Sequence, residues 1–382
     1  MTDKRPSRWY RANLWLHRWA SLIATLPFLI LCLTGTVLIF HAEIDAAMGI
    51  VPVSPGLTGA ERPLSESVSA VLTAYPDQKI IYHGIDAESY PGLAIINTVP
   101  PGDTNFDRAA LRFTNLATAT LTDEAIESET MTGFLLDLHA QWFLGPMGEL
   151  IGAAIALLVL LSLLSGLVVY APHARRVAFG ALRRGRGPRL LQLDLHNFIG
   201  AVVLGWALVV TMTGFLLGFG TLATGLWAQG ELARVQAVYN GSPVDPRAPP
   251  VDVDAAIDAA LSAAPEGWHV SSILWPGTDY STPRHYTVLV GGSGLDERLV
   301  RVVLVDAETG MVPGTAELPW YLKVITLSEP LHFGDYGGLP LKLLWTACTW
   351  LTLFLTANGA WLWWDRRRSR RGRKPATQAA RT

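Results

Sequence analysis

Four stretches of the chain are uncharged and long enough to cross a bilayer, and the long polar segments 41–138 and 220–331 lie between them. A transmembrane helix needs about 20 predominantly apolar residues. The predicted spans are Trp19–Phe40, Leu150–Tyr170, Phe198–Phe219 and Leu343–Trp364. Each polar segment combines an amphipathic helix with alternating, strand-like runs such as 92–99 and 285–292. The pattern predicts an integral membrane protein, an α-helical four-span bundle that carries two α+β domains.

The basic residues predict how the chain is oriented, because Lys and Arg collect on the cytoplasmic side of membrane proteins. Five of them precede the first span, six lie in loop 171–195, and eight lie in the tail 365–382, which is 19 of 30 in all. We therefore expect both termini and the loop to be cytoplasmic and both polar segments to lie outside. The first span exceeds the apolar core of about 7–15 residues in a secretory signal, so we predict a retained helix.

Composition agrees with a membrane protein that has polar parts. Only 16% of the residues are charged, against about 25% in an average soluble domain. The net charge of −2 excludes a typical nucleic-acid binder, and two cysteines cannot form a disulfide framework. The segments predicted to lie outside hold 29 of the 32 acidic residues against 11 basic ones, which favours a neutral or cationic substrate over an anionic one.

The first and third spans share a motif with identical spacing. His17 precedes Thr34 of a Thr-Gly dipeptide by the same number of positions as His196 precedes Thr213 of a second one. Gapless spacing of this kind indicates an internal repeat.

The second and fourth spans show a matching relation. The spacing from His139 to Gly166 equals the spacing from His332 to Gly359. The chain is thus predicted to be a parallel internal duplication, two copies of helix, outer domain and helix related by a pseudo-two-fold axis along the membrane normal.

Four of the nine histidines recur at equivalent repeat positions, and their depth follows from the rise of about 1.5 Å per helical residue. His17 and His196 fall at the cytoplasmic boundary. His139 and His332 fall near the outer face, on predicted interfacial segments 139–149 and 332–342, each of which contains a break at a proline, Pro146 or Pro340. Each pair of facing neutral imidazoles suits the two axial positions of a haem iron. We predict two b-type haems, one ligated by His17 with His196 and the other by His139 with His332.

Other residues are candidates for the same sites. Small residues would let a macrocycle or a neighbouring helix approach, and aromatic side chains would pack around it. These candidates are Gly35, Gly166, Gly214 and Gly359, with Trp15, Trp19, Trp142, Trp206 and Trp345. The glycines are equally well explained as helix-packing residues.

Alternatives to paired haem ligation stay open. His41 and His173 lie at suitable depths but have no repeat partner, so they rank behind the four repeated histidines. Histidines in a membrane also relay protons or bind other metals, although no nearby carboxylate or Cys completes a zinc or copper set. Cys32 and Cys348 are interpreted as small buried hydrophobic residues.

The motifs around the histidines resemble those of PepSY-associated transmembrane proteins, and most closely FoxB-like ferric-siderophore reductases of the bacterial inner membrane. The resemblance covers about residues 10–365. It implies a dihaem protein, multi-pass in the inner membrane with PepSY-like periplasmic domains, that reduces siderophore-bound Fe(III) and releases Fe(II). His17, His139, His196 and His332 match the implied ligand positions. The motifs are LHRWASLIATLPFLILCLTGTVLIF (16–40), LHAQWFLG (138–145), LHNFIGAVVLGWALVVTMTGFLLGF (195–219) and LHFGDYGG (331–338).

Function therefore has three hypotheses. The first is the haem-dependent reductase, with membrane lipid and a ferric siderophore as partners and a quinol or cytoplasmic reductase as donor. The second is a non-catalytic accessory protein whose outer domains regulate a peptidase or transporter. The third is a small permease, which the parallel repeat permits. Aromatic residues of the outer segments are candidates for a substrate surface, with core packing as the competing role: Tyr82, Tyr90, Trp268, Trp275, Tyr280 and Tyr286.

Overall fold

The computed structural model of the chain describes residues 7–53, 56, 59–85, 90–104, 106–126, 130–237, 241–292, 299–334 and 336–371. They form two compact units. Unit 1 takes the described residues of Met1–Ile39, His139–Gly218 and Pro330–Thr382. Unit 2 takes those of Phe40–Leu138 and Phe219–Glu329. The basic tail beyond Arg371 lies outside the described residues.

The elements follow one another along the chain as helices and strands in the alternation that the polarity pattern predicts. The helices are α1 (Arg8–Leu38), α2 (His41–Ala47), α3 (Leu64–Ala74), α4 (Met131–Leu136), α5 (Pro146–Ala174), α6 (Pro188–Leu217), α7 (Gly220–Trp227), α8 (Ala233–Ala237), α9 (Val253–Ser262), α10 (Trp320–Phe333) and α11 (Gly338–Arg371). The strands are β1 (Lys79–Gly84), β2 (Leu93–Val99), β3 (Ala110–Asn115), β4 (Leu121–Ile126), β5 (His269–Leu274), β6 (His285–Gly291), β7 (Arg301–Asp306) and β8 (Gly314–Glu317).

Four helices of unit 1, namely α1, α5, α6 and α11, are long and apolar enough to cross a membrane, which confirms the four predicted spans. Each begins earlier than its apolar core, and in three of them a local start signal is visible. The Ser7 hydroxyl accepts a hydrogen bond from the backbone N–H of Tyr10 at 3.1 Å. Pro146 and Pro188 occupy the first turns of α5 and α6, directly after a glycine, where no helical N–H partner is lost.

The four helices pack in a closed order, in which α1 contacts α5 and α11, and α6 contacts the same two helices. Small residues such as Ala20, Ala24 and Ala207 are buried where helices approach. The outward faces carry large apolar side chains, for example Ile23 at 62% and Leu26 at 69% exposure. These faces are suited to contact with lipid.

Unit 2 contains one antiparallel sheet with the strand order β4-β3-β2-β1-β5-β6-β7-β8. The two α+β domains predicted from the sequence are thus joined, because β1 pairs with β5. In this pairing Tyr82 lies opposite Leu274 and Gly84 lies opposite Ser272. Each half alone would leave a strand edge exposed, and the pairing covers both edges.

The halves of unit 2 also share their core and one helix cap. Val71 of α3 and Ala256 of α9 belong to one buried cluster with Ile80 and Val288 of the sheet. The carboxylate of Asp254, in the first turn of α9, accepts hydrogen bonds from the first backbone N–H groups of α3 at 2.8 and 3.0 Å. The two predicted α+β units are therefore the halves of one continuous sheet and core.

The predicted interfacial segments 139–149 and 332–342 differ from each other. His139 lies in a π-helical turn, Asp137–Gln141, which ends before α5 begins at Pro146. His332 instead lies in the last turn of α10, and α11 already begins at Gly338, ahead of Pro340.

Candidate metal centres

The four repeated histidines lie in unit 1 as two pairs of facing rings. The ring centres of His17 and His196 are 6.4 Å apart, with 77° between the ring planes. Those of His139 and His332 are 6.3 Å apart, with an angle of 61°. These are the pairs that the repeat predicts.

The two pairs occupy different levels of the bundle. His17 and Thr34 both lie on α1, and Thr34 contacts His139. The stretch of helix from His17 to Thr34 is about 25 Å long at the usual rise per residue. A residue of one pair therefore cannot replace a residue of the other.

The separation within each pair fits two ligands on opposite sides of one metal ion. A ligating imidazole nitrogen lies about 2 Å from the metal and about 1 Å from its ring centre, so two opposed rings have centres about 6 Å apart. Within the described residues, no group of three or more His, Cys, Asp or Glu is placed to hold a metal ion. A haem iron takes two protein ligands because the macrocycle supplies the others, so the residues present fit a haem.

Hydrogen bonds to the backbone define the protonated nitrogen in two of the rings. Nδ1 of His17 lies 2.8 Å from the carbonyl oxygen of Ser162, and Nδ1 of His332 lies 2.9 Å from that of Val210. Since a carbonyl oxygen only accepts, Nδ1 donates in both rings. In the neutral rings Nε2 then carries the lone pair that a metal needs.

The other two rings differ from this arrangement. Nδ1 of His139 lies 2.8 Å from the hydroxyl oxygen of Thr34. Nδ1 of His196 is buried and has no hydrogen-bond partner among the described residues. The hydrogen bonds described for His17, His139 and His332 all involve Nδ1, which leaves Nε2 as the nitrogen available to a metal.

Each of the four repeated glycines faces one of the four histidines. A Cβ atom built on Gly35 would lie 3.1 Å from Cε1 of His139, and one on Gly214 would lie 2.8 Å from Cε1 of His332. The corresponding distances are 3.0 Å from Gly166 to His17 and 3.3 Å from Gly359 to His196. The glycines therefore make room for the imidazoles themselves, a role that helix packing alone does not explain.

The tryptophans predicted to surround the sites divide into two groups. Trp15 and Trp19 are 63% and 39% exposed, so the prediction that they pack around a cofactor is wrong. Each is two positions from His17, which at about 3.6 residues per turn places it on the opposite face of α1. Trp206 and Trp345 pack edge to face with ring centres 6.4 Å apart.

Trp142, Trp206 and Trp345 share a further property. Their indole Nε1 atoms are buried without a hydrogen-bond acceptor among the described residues. A buried donor without an acceptor is costly, and more so in a membrane bundle.

The weaker ligand candidates lie outside both pairs. His41 begins α2 in unit 2. His173 lies in the last turn of α5, with its ring 5.9 Å from that of Tyr170. Cys32 is buried and Cys348 half-buried, and neither forms a disulfide.

The outer aromatic candidates pack in unit 2. Trp275 and Tyr286 are fully buried, with ring centres 5.3 Å apart, and they also line a cavity of about 340 Å³ beneath α3. Tyr90 packs against Phe113 and Tyr280 against Phe106. Core packing accounts for Trp275 and Tyr286, whereas a substrate surface that includes the half-buried Tyr82, Tyr90, Trp268 and Tyr280 stays a prediction.

Sequence reasoning gave no role to several residues that contact the rings. Thr34 and Thr213 belong to the repeated Thr-Gly dipeptide, and that recurrence was a usable signal. Ser162 has none, because the equivalent position in the fourth span is Leu355. Its shorter contact with His17, at 2.8 Å, runs through the backbone carbonyl, which any residue supplies, and its hydroxyl lies 3.3 Å from the same Nδ1.

Comparison with known proteins adds two findings. The model of the family described as "PepSY-associated TM region" matches residues 14–366. An uncharacterized protein of Pseudomonas aeruginosa is 29% identical over an alignment of 272 residues that covers 62% of this chain. The chain spans 64% of the length of that relative.

Proposed function

Since the chain belongs to the family of PepSY-associated TM regions, we propose that it is a transmembrane dihaem b-type reductase, which passes electrons across the inner membrane to reduce ferric siderophore in the periplasm. The observation that carries the proposal is the spacing of the histidine rings, 6.4 and 6.3 Å between centres. Two such sites at two levels of one bundle suit electron transfer along the membrane normal.

His17 and His196 would hold one haem, and His139 and His332 the other. Each bound haem would supply reversible one-electron exchange at its iron. The chain would set the ring orientation through the Nδ1 hydrogen bonds and provide space through the four glycines. The apolar helices would exclude water from both levels.

The repeated contacts support a parallel duplication as the origin of the two sites. Gly35 faces His139 as Gly214 faces His332, and Gly166 faces His17 as Gly359 faces His196. The basic residues at both ends of the chain and in loop 171–195 support cytoplasmic termini. In that orientation the His139–His332 pair lies at the periplasmic end of the bundle, and the polar segments of unit 2 are periplasmic.

The reaction requires one electron per iron. Siderophores hold Fe(III) through hard oxygen ligands, and Fe(II) is a softer ion that the same ligands hold less tightly. One electron from a quinol or a cytoplasmic reductase would convert bound Fe(III) to Fe(II), which dissociates. The substrate then need not cross the membrane for its iron to be released.

Alanine variants of the four histidines test the proposal. We expect a pyridine haemochrome assay on the purified full chain to find two b-type haems per chain. His17→Ala and His196→Ala should each lose the same haem, and His139→Ala and His332→Ala the other, because each site would lose one of its two protein ligands. His173→Ala, which alters a histidine outside both pairs, is the matched control and should keep both.

Two results would contradict the proposal. A wild-type protein without a b-type reduced-minus-oxidised band would exclude haem. Loss of one common haem in His17→Ala and His139→Ala would exclude the assigned pairs. Reduction of a ferric siderophore by a quinol-driven wild type in proteoliposomes, absent in His139→Ala, would establish the reaction.

A further inference from the structure

We propose that Thr34 and Thr213 are positioning residues, which hold Nδ1 of His139 and His332 in the protonated form and keep Nε2 free for the metal, with Thr34 the more important of the two. The inference rests on the proposed function. It assigns a role to the hydroxyl of the repeated Thr-Gly dipeptide.

The direction of the hydrogen bonds at Thr34 determines the tautomer of His139. The Thr34 hydroxyl lies 2.9 Å from the carbonyl oxygen of Ile30 and 3.2 Å from that of Leu31, and both only accept. A hydroxyl has one proton to donate, so its contact with Nδ1 of His139 at 2.8 Å is made by a lone pair. Nδ1 is therefore the donor, as its hydrogen bond to the backbone carbonyl of Leu31 also requires, and Nε2 of the neutral ring is left without a proton.

Thr213 repeats this arrangement with a weaker contact. Its hydroxyl lies 2.8 and 3.1 Å from the carbonyl oxygens of Val209 and Val210. Its oxygen is 3.3 Å from Nδ1 of His332, whereas the Val210 carbonyl oxygen is 2.9 Å from the same nitrogen. The backbone alone can thus hold the tautomer of His332, and Thr213 only adds to it.

The glycine of the dipeptide acts on the same edge of the ring as the threonine. Cε1 lies between Nδ1 and Nε2, and it is the atom nearest to the missing Cβ of Gly35 and Gly214. The threonine holds the ring by its nitrogen while the glycine lets the ring approach the helix. The Thr-Gly dipeptide therefore provides a hydrogen-bond partner for the ring and space for the ring at adjacent positions.

Removal of the Thr34 hydroxyl should weaken metal binding in two ways. Without the hydroxyl, only the carbonyl of Leu31 favours protonation of Nδ1, so the other tautomer of His139, in which Nε2 carries the proton and cannot bind, becomes more populated. When Nε2 does bind, the ring donates less electron density, so Fe(III) is stabilised less and the midpoint potential of that haem rises. Loss of such an outer hydrogen-bond partner costs about 10-fold or more in metal affinity.

Haem affinity and redox titration of the full chain in detergent test the inference, with hemin as the probe. Thr34→Val keeps the shape of the side chain and removes the oxygen. We expect hemin to bind about 10-fold more weakly at the His139–His332 site, with the midpoint potential raised there and unchanged at the other site. Thr34→Ser should restore both values, and Thr213→Val should change them less than Thr34→Val does.

The outcomes separate this inference from the proposed function. If the wild type binds two haems and Thr34→Val matches it in affinity and potential, the positioning role is excluded and the reductase proposal stands. A Thr34→Ser protein as impaired as Thr34→Val also excludes it, because packing would then explain the loss. A wild type that binds no hemin overturns both proposals.

Discussion

The two histidine pairs share their ring spacing and differ in what holds the rings. Both rings of the His139–His332 pair contact a threonine hydroxyl through Nδ1. In the His17–His196 pair, Nδ1 of His17 contacts the backbone carbonyl and the hydroxyl of Ser162, whereas Nδ1 of His196 has no partner among the described residues. In the first pair both rings are therefore held by hydrogen bonds, whereas in the second pair only the ring of His17 is.

The residue before each glycine accounts for the difference. Thr34 and Thr213 precede the glycines of the His139–His332 pair, whereas Ser165 and Asn358 precede those of the other pair. Ser165 donates to the carbonyl oxygens of Leu161 and Ser162, and Asn358 donates to that of Gln192. Space for the ring is thus kept at all four positions, whereas the residue before the glycine contacts the ring through its hydroxyl at only two.

The largest effect in this comparison is expected from filling that space. A methyl group on Gly214 would lie 2.8 Å from Cε1 of His332, and one on Gly359 would lie 3.3 Å from Cε1 of His196. Overpacking of this kind costs about 1–3 kcal/mol. We expect Gly214→Ala to weaken hemin binding at the His139–His332 site about 100-fold, near the upper end of that range, and Gly359→Ala to have a smaller effect at its own site.

Hemin titration of both variants, with the unaltered site in each as the internal reference, measures this difference. Equal losses in Gly214→Ala and Gly359→Ala would show that the two pairs have the same tolerance. That result would contradict the expected difference between the two pairs.

A buried histidine in unit 2 allows unfolding of the chain at low pH to be distinguished from release of haem by the histidine pairs. Burial lowers the pKa of His83 to about 4, although the charge of Asp254 opposes the shift. The unfolded chain takes up this proton near pH 6.5 and the folded chain only near pH 4, so stability is present above pH 6.5 and is lost as the pH falls toward 4. We expect about 2 kcal/mol of lost unfolding free energy between about pH 7.5 and pH 5.

Thermal unfolding of the full chain at the two pH values, with His83→Leu as the matched variant, measures this loss. The variant should show a flatter pH dependence, since it has no proton to take up at that position. Haem that this variant releases between the same pH values would then report on the histidine pairs. A variant as acid-sensitive as the wild type would assign the effect to other groups.

The smallest effect is expected at Ser165. Its side chain is buried and precedes Gly166 as Thr34 precedes Gly35, but its hydroxyl contacts backbone carbonyls and not the ring of His17. We expect Ser165→Ala to change hemin affinity less than about twofold, because the main acceptor for His17 stays in place. A loss as large as that of Thr34→Val would show that both pairs depend equally on the residue before the glycine.

Much of this arrangement could be predicted along the chain. The four spans follow from uncharged runs, and the pairs follow from histidine spacings that recur between the first and third spans and between the second and fourth, because a helix converts spacing into height. The same periodicity could have excluded Trp15 and Trp19, each half a turn away from His17. The pairing of β1 with β5 could not be predicted, because the sequence of each strand is equally compatible with an edge position and with an interior position in a sheet.

Local patterns were enough to predict four apolar helices that carry four histidines at two levels, because hydrophobicity and helical rise act between neighbours in the chain. Which atoms hold each ring depends on how the helices pack. Thr34 meets His139 and Ser162 meets His17 from positions far apart in the chain, and such contacts depend on how helices are packed side by side. The single sheet formed by the two outer segments likewise depends on tertiary structure. A strand edge needs a hydrogen-bonding partner, and no local sequence signal says which strand that partner is.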